Sequence, residues 1–252
     1  MSDEFKLAVY FDFENLALGV KEARYPSFEI GPILQRLVEK GRIIVKRAYA
    51  DWEGYTDYKR PLHEAGVELI YVPKRRYSGK NSADIRMVVD AIDLCYSKDH
   101  VNFFVIASGD SDFTPLVTKL RENDKTVIGL GVKNSTSPLF VENCDEFIFY
   151  EDIVRLKQKR STIDAKVPAK KAEAFQRIMD AIDALVRESK DVIWASMVKQ
   201  TIKRKHPDFD EGYYGYGSFS QLITDMREQG LIEIEKDQKS GGFVITAVKE
   251  SK

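Results

Sequence analysis

Apolar residues do not spread evenly along the first 150 positions but gather in short runs separated by mixed segments. "KLAVYFDF" (6–13), "RIIVKRAYADW" (42–52), "VELIYVP" (67–73), "VNFFVIAS" (101–108), "KTVIGLGV" (125–132) and "EFIFYED" (146–152) read as strands. Between them lie stretches with helical spacing. "EIGPILQRLVEKG" (29–41) repeats at Ile33, Leu34, Leu37 and Val38 and stops at Gly41. "YTDYKRPLHEAG" (55–66) reads as a helix despite Pro61, and "DFTPLVTKLREND" (112–124) as one with Pro115 in its first turn. "SADIRMVVDAIDLCYS" (82–97) is the clearest helix, with Ser82 as cap and Ile85, Val88, Val89, Ile92 and Cys95 on one expected core face.

Strands that alternate with helices and are nearly continuous in apolar residues predict a parallel sheet covered on both faces, an α/β fold. Ligands of such sheets sit beyond the carboxyl ends of the strands, where strand order reverses. Residues 155–171, "RLKQKRSTIDAKVPAKK", break the pattern with seven basic residues and one acid, and read as a solvated basic linker. Beyond it, "AEAFQRIMDAIDALVRES" (172–189), "WASMVKQTIKRKH" (194–206) and "SFSQLITDMREQG" (218–230) have amphipathic helical spacing, the last with Ser218 as cap and Gly230 as stop. "LIEIEKDQKSGGFVITAV" (231–248) reads as a hairpin, so residues 172–252 predict a small winged-helix-like domain after an α/β domain at 1–154.

Composition narrows the picture. With 43% hydrophobic and 31% charged residues, the 252-residue chain has the balance of a globular protein. Its net charge of −1 gives no global attraction to nucleic acid, so any such binding must come from local clusters. No apolar run reaches the roughly 20 residues that span a bilayer, and the N-terminus lacks the basic region of a signal peptide. Two cysteines, Cys95 and Cys144, with no CxxC and three scattered histidines, argue against Cys/His zinc and for a cytoplasmic setting with reduced thiols.

Against this background the acidic residues at strand ends stand out. Asp12 closes the first strand, and Asp110 and Asp112 follow the fourth in "FFVIASGDSDF". Asp84 opens the helix after the third. Ionised carboxylates beside an apolar core lose hydration and repel one another. Either Asp110 and Asp112 form a turn and helix cap, with Asp112 placed to cap "FTPL", or the four acids share a divalent cation. Magnesium takes oxygen ligands and keeps several waters, and metal pairs can hydrolyse phosphodiesters. Asn15 can add a carbonyl ligand or position a water, Ser108 can bond a carboxylate or a phosphate, and Glu14 is a further acid nearby.

"AVYFDFENL" (8–16), "KNSADIRMVVDAI" (80–92) and "VIASGDSDFTPLV" (105–117) resemble, in order and spacing, the three signature segments of the NYN domain family, which is similar to PIN-domain nucleases. The resemblance covers residues 6–150 and implies a PIN-like sheet and a Mg2+- or Mn2+-dependent ribonuclease. It implies metal-binding Asp12, Asp84, Asp110 and Asp112, with Asn15 in support. "YGYGSFSQLITDMREQGLIEI" (214–234), with the helices before it, resembles the LOTUS (OST-HTH) module over about residues 170–248, which implies binding of RNA or of a protein partner. The pairing resembles a limkain-type arrangement.

Basic residues give candidate RNA contacts. Lys74, Arg75, Arg76 and Lys80 lie in the loop before Asp84, with Tyr77 able to stack on a base. Lys199, Lys203, Arg204 and Lys205 form a basic helix end, and Tyr213, Tyr214 and Tyr216 follow among glycines, placed either to stack on unpaired bases or to cover a small core. The leading expectation is an endoribonuclease. The alternative is a non-catalytic RNA-binding or adaptor protein on a nuclease-like scaffold. A phosphatase of the haloacid dehalogenase kind fails at Glu14, where a second aspartate belongs. A DNA substrate stays open.

Overall fold

The computed structural model describes residues 5–73, 82–158, 168–188, 190–238 and 240–248. They form two units, one up to Gln158 apart from residues 38–40, and one from Pro168 on that takes in 38–40. The basic residues Lys74, Arg75, Arg76 and Lys80, Tyr77, and the middle of the 155–171 segment lie outside the described residues.

The first unit runs β1 (Lys6–Asp12), α1 (Phe13–Glu22), α2 (Ile30–Lys40), β2 (Arg42–Ala50), α3 (Thr56–Glu64), β3 (Glu68–Tyr71), α4 (Ser82–Ser97), β4 (Phe103–Ala107), α5 (Thr114–Glu122), β5 (Thr126–Gly131), α6 (Pro138–Asn143), β6 (Glu146–Phe149) and α7 (Tyr150–Gln158). A single 3-10 turn, Ser111–Phe113, leads into α5. The six strands make one parallel sheet in the order β3-β2-β1-β4-β5-β6. The chain builds outward from β1 to β3, returns through α4 to the other side of β1, and continues to β6. Strand order therefore reverses between β1 and β4, as the α/β reading anticipates.

Side chains alternate across the sheet, so each strand feeds two cores. Leu7, Val9 and Phe11, with Val105, Ala107, Ile128 and Leu130, pack against Leu16, Ile33, Leu37, Leu62 and Ile153 from α1, α2, α3 and α7. Ala8 and Tyr10, with Phe104, Ile106 and Val127, pack against Met87, Ala91, Cys95, Leu116, Val117 and Phe140 from α4, α5 and α6. The residues of β1 from Leu7 to Phe11 are wholly buried, which explains why they carry no polar alternation.

Helix α4 has the bounds its sequence predicts but only part of the expected face: Cys95 is buried, and Val88 and Ile92 are partly buried against the same core. Met87, Ala91 and Cys95 meet the sheet, whereas Ile85 and Val89 are 63% and 56% exposed. Cys95 belongs to the expected stripe, but the buried arc runs through Met87 and Ala91, on the other side of Val88 from Val89. Three further helices differ from expectation. Helix α1 follows β1 directly, α6 fills the β5–β6 crossover, and α7 occupies residues expected as strand and linker.

The second unit runs α8 (Ala169–Arg187), β7 (Ile193–Trp194), α9 (Ala195–Lys205), α10 (Phe219–Glu228), β8 (Ile232–Lys236) and β9 (Phe243–Val248). Strand β9 pairs antiparallel with β8 in the expected hairpin, and β7 adds a short third strand on its other side. Ser218 caps α10 by accepting from the Gln221 N–H, and Gly230 leaves it at φ +72, the left-handed conformation that favours glycine. Phe175, Ile178, Val198, Ile202, Leu222, Ile223 and Met226 close a separate apolar core.

Candidate active site

The crevice at the β1–β4 switch point is built by the residues that end those two strands. Asp12 is the last residue of β1 and the cap of α1. Its Oδ1 accepts from the Asn15 backbone N–H at 3.3 Å. Its Oδ2 accepts from the Ser108 hydroxyl at 2.8 Å. Two donors therefore fix a carboxylate that is only 8% exposed. Asn15 reaches the other way: its Oδ1 accepts from the Gly109 N–H at 2.9 Å and ties the start of α1 to the loop leaving β4.

Ser108 is wholly buried, donates to Asp12 and accepts from the Asp110 N–H at 3.2 Å. Of its two expected roles, it has the carboxylate partner. Wholly buried between these two partners, its hydroxyl lies off the surface that RNA would meet. Gly109 is required by close packing. A Cβ there would stand 2.2 Å from the Ser135 carbonyl oxygen, and the Gly109 carbonyl accepts from the Ser137 N–H at 2.8 Å. The β5–α6 loop thus presses on the acidic turn and holds it against β1.

The cap is carried by Asp110, not Asp112. Asp110 accepts from the Asp112 N–H at 2.9 Å and starts the 3-10 turn, while α5 begins at Thr114, with Phe113 in the cap position and no side-chain cap. The turn geometry is therefore Asp110's, and Asp112 is exposed beside it. Asp84 stands half-buried in the first turn of α4.

The electrostatics link these groups. Burial pushes the Asp12 carboxyl from its ordinary 3.8 up to about 7, and the charges of Asp84 and Glu14 push in the same direction against the Ser108 and Asn15 hydrogen bonds. Asp84 is also raised, first by burial and then by Asp110, Asp112 and Glu14. Five acids from three segments thus feel one another. Glu14 is held by the Asp51 N–H, which its Oε1 accepts at 3.0 Å.

Among the described residues no group of three His, Cys, Asp or Glu side chains stands ready to bind a cation directly. The donor set is nonetheless all-oxygen and anionic. It fits a hard divalent ion that retains waters and needs few direct carboxylates. Asp12, Asp84, Asp110 and Asp112 are the residues that would hold it.

A groove of about 430 Å³ opens from this edge between α4 and the start of α5, lined by Asp84, Ile85, Val89, Ser111, Asp112 and Pro115 among others. Sequence reasoning assigned Ile85 and Val89 to the core and so missed this wall. The glycines of β5 were a second unused signal. A Cβ on Gly131 would meet the Thr136 Oγ1 at 2.4 Å, marking the loop that buttresses Gly109.

In the second unit the tyrosines separate. Tyr214 is 5% exposed and its hydroxyl donates to Glu173 Oε1 at 3.2 Å, so it is a core residue and not a stacking platform. Tyr216 is equally buried and donates to Asp225 at 2.5 Å. Tyr213 is the exposed ring, at 62%, with the Lys170 ammonium 4.0 Å above it. At the end of α9, Lys203 is exposed and Arg204 donates to Thr201 Oγ1 at 3.1 Å, while Arg204 and Lys205 are half-buried.

A parallel sheet in this order, with acids at its switch point, is consistent with a PIN-like α/β domain. The family model for the NYN domain matches residues 6–151, and that for the OST-HTH/LOTUS domain matches residues 174–244. The chain belongs to the NYN domain family and joins that nuclease-like domain to a LOTUS domain. An uncharacterized protein of Methanocaldococcus jannaschii is 26% identical over 152 residues, which is 58% of this chain and 60% of the relative's length. A crystal structure of a protein of unknown function from Vibrio parahaemolyticus matches with a TM-score of 0.54 at 24% identity, covering 61% of this chain and 97% of that one, and so shares the fold. No helix among the described residues is long and apolar enough to cross a membrane.

Proposed function

We propose that this protein is a metal-dependent ribonuclease whose LOTUS domain holds the RNA. The observation that carries the reading is Asp12. A carboxylate buried at the switch point, raised to about 7 and kept beside Asp84 and Glu14, is costly to the fold. Such a cost is expected where charge is reserved for a ligand of opposite sign.

Asp12, Asp84, Asp110 and Asp112 would hold Mg2+ or Mn2+, which supplies an activated water and neutralises charge developing at a phosphodiester. The chain's own residues act as positioners. Ser108 and the Asn15 backbone N–H aim the Asp12 oxygens, and the Asn15 amide oxygen locks the β4 turn to α1. Asp110 shapes the turn that presents Asp112. Lys203 and Tyr213 offer a charge and an exposed ring for RNA on the second unit.

The alternative is an RNA-binding adaptor without turnover. One experiment decides. Full-length protein is incubated with end-labelled RNA and DNA oligonucleotides in Mn2+, Mg2+ or EDTA, beside the Asp12→Asn and Asp84→Asn variants. Cation-dependent products from RNA, lost in both variants, support the ribonuclease. RNA binding without products supports the adaptor. Equal products in EDTA refute the metal-dependent reading.

A further inference from the structure

Helix α4 carries Ile85 and Val89 on successive turns, both more than half exposed, directly after Asp84. Across the groove stands Pro115, exposed in the first turn of α5, and the floor is closed by Phe113, which is 1% exposed. The groove's polar lining is confined to Asp84, Ser111 and Asp112. The same two aspartates belong to the proposed catalytic edge, so the apolar slot starts where the reacting phosphate would lie.

We infer that this slot is a base-binding subsite, which takes one unpaired nucleobase next to the scissile phosphate between the aliphatic walls of Ile85, Val89 and Pro115. The inference rests on the ribonuclease reading. Size favours this occupant. About 430 Å³ lies at the small end of ligand pockets and suits one ring system with its sugar, not the face of a helix or a second chain. Charge favours it too. The carboxylates at the mouth would repel an anionic group inside the slot, yet they can accept from base N–H groups, while the phosphate stays outside with the cation. A base stacked within a duplex cannot enter, so the slot selects single strands.

The test is an abasic scan. Single-stranded oligoribonucleotides, each lacking one base, are titrated against full-length wild type and an Ile85→Ser/Val89→Ser double variant, with binding read in Ca2+ and cleavage in Mn2+. Both side chains are exposed, and circular dichroism verifies the fold. Wild type is expected to lose roughly five- to tenfold in affinity at one abasic position beside the cut. The double variant should lose that much on the intact strand and be insensitive to the same lesion. A flat scan overturns the subsite. So does a double variant that retains wild-type binding, or one that changes only the oligomeric state in sedimentation. If wild type binds with the position-specific loss but cleaves nothing, the nuclease reading falls, and the slot stands as a base-binding site with no scissile phosphate beside it. If it cleaves with a flat scan, the reverse holds.

Discussion

Asp12→Asn should make the protein more stable while removing its proposed chemistry. The folded carboxyl titrates at about 7 and the unfolded one near 3.8. Between those values the folded state binds the extra proton, so stability is lost as pH rises through the interval and the loss is complete just above 7. At about 1.36 kcal/mol per pH unit, the whole interval is worth roughly 4 kcal/mol. An asparagine keeps an acceptor for the Asn15 N–H and can exchange a hydrogen bond with Ser108 without the charge. The assay is thermal unfolding of the first unit's transition in EDTA across pH. The gap between variant and wild type should widen by roughly 3 kcal/mol from about pH 5 to about pH 8 and then stay level. That is a midpoint difference on the order of 10 °C. Saturating Mg2+ at the higher pH should raise wild type alone and narrow the gap. A variant less stable than wild type above neutral pH, or a gap independent of pH, would refute the reasoning that burial and like charge dominate at this site.

Other outcomes follow from the same geometry. Ser108→Ala removes a donor from Asp12, so the acidic limb of any cleavage pH profile should move to higher pH, as read from rates at saturating Mn2+. Gly109→Ala forces a Cβ onto the Ser135 carbonyl oxygen and should lower the unfolding free energy by about 2 kcal/mol or more, measured in urea. Tyr214→Ala, which empties a core position, should destabilise the second unit by about 3 to 5 kcal/mol. Tyr213→Ala should leave its melting transition in place and weaken RNA binding in a filter assay.

Much of this fold was legible because strands buried on both faces leave an unmistakable apolar run and helices between them show their period. The carboxylates were legible for the same reason. An acid that ends such a run must sit at the sheet's carboxyl edge, as Asp12 does. Residues that serve two elements at once were harder to read. Asp12 closes β1 and caps α1, so no loop announces the helix, and Phe13 reads as the last residue of the strand. Asp110 took the capping role expected of Asp112 because a 3-10 turn intervenes before α5. Exposure was misread where apolar residues outnumber the buried positions. In α4 the residues Ile85, Val88, Val89 and Ile92 satisfy helical spacing, but the helix rests on Met87, Ala91 and Cys95 and leaves Ile85 and Val89 exposed. In the second unit, neighbouring tyrosines in one glycine-rich stretch divide between core and solvent. Nothing in their spacing distinguishes Tyr213 from Tyr214, because that choice is made by packing of Tyr214 against Phe209, which in turn meets Phe219.

The claim beneath all of this is that acids from β1, α4 and the β4 turn act together on one divalent cation. Mn2+ titration followed by electron paramagnetic resonance measures that directly, on the full-length wild type and on the Asp12→Asn/Asp84→Asn double variant. The account predicts saturable Mn2+ binding by the wild type that the double variant loses. Equal binding by the two proteins, or none by either, would contradict it.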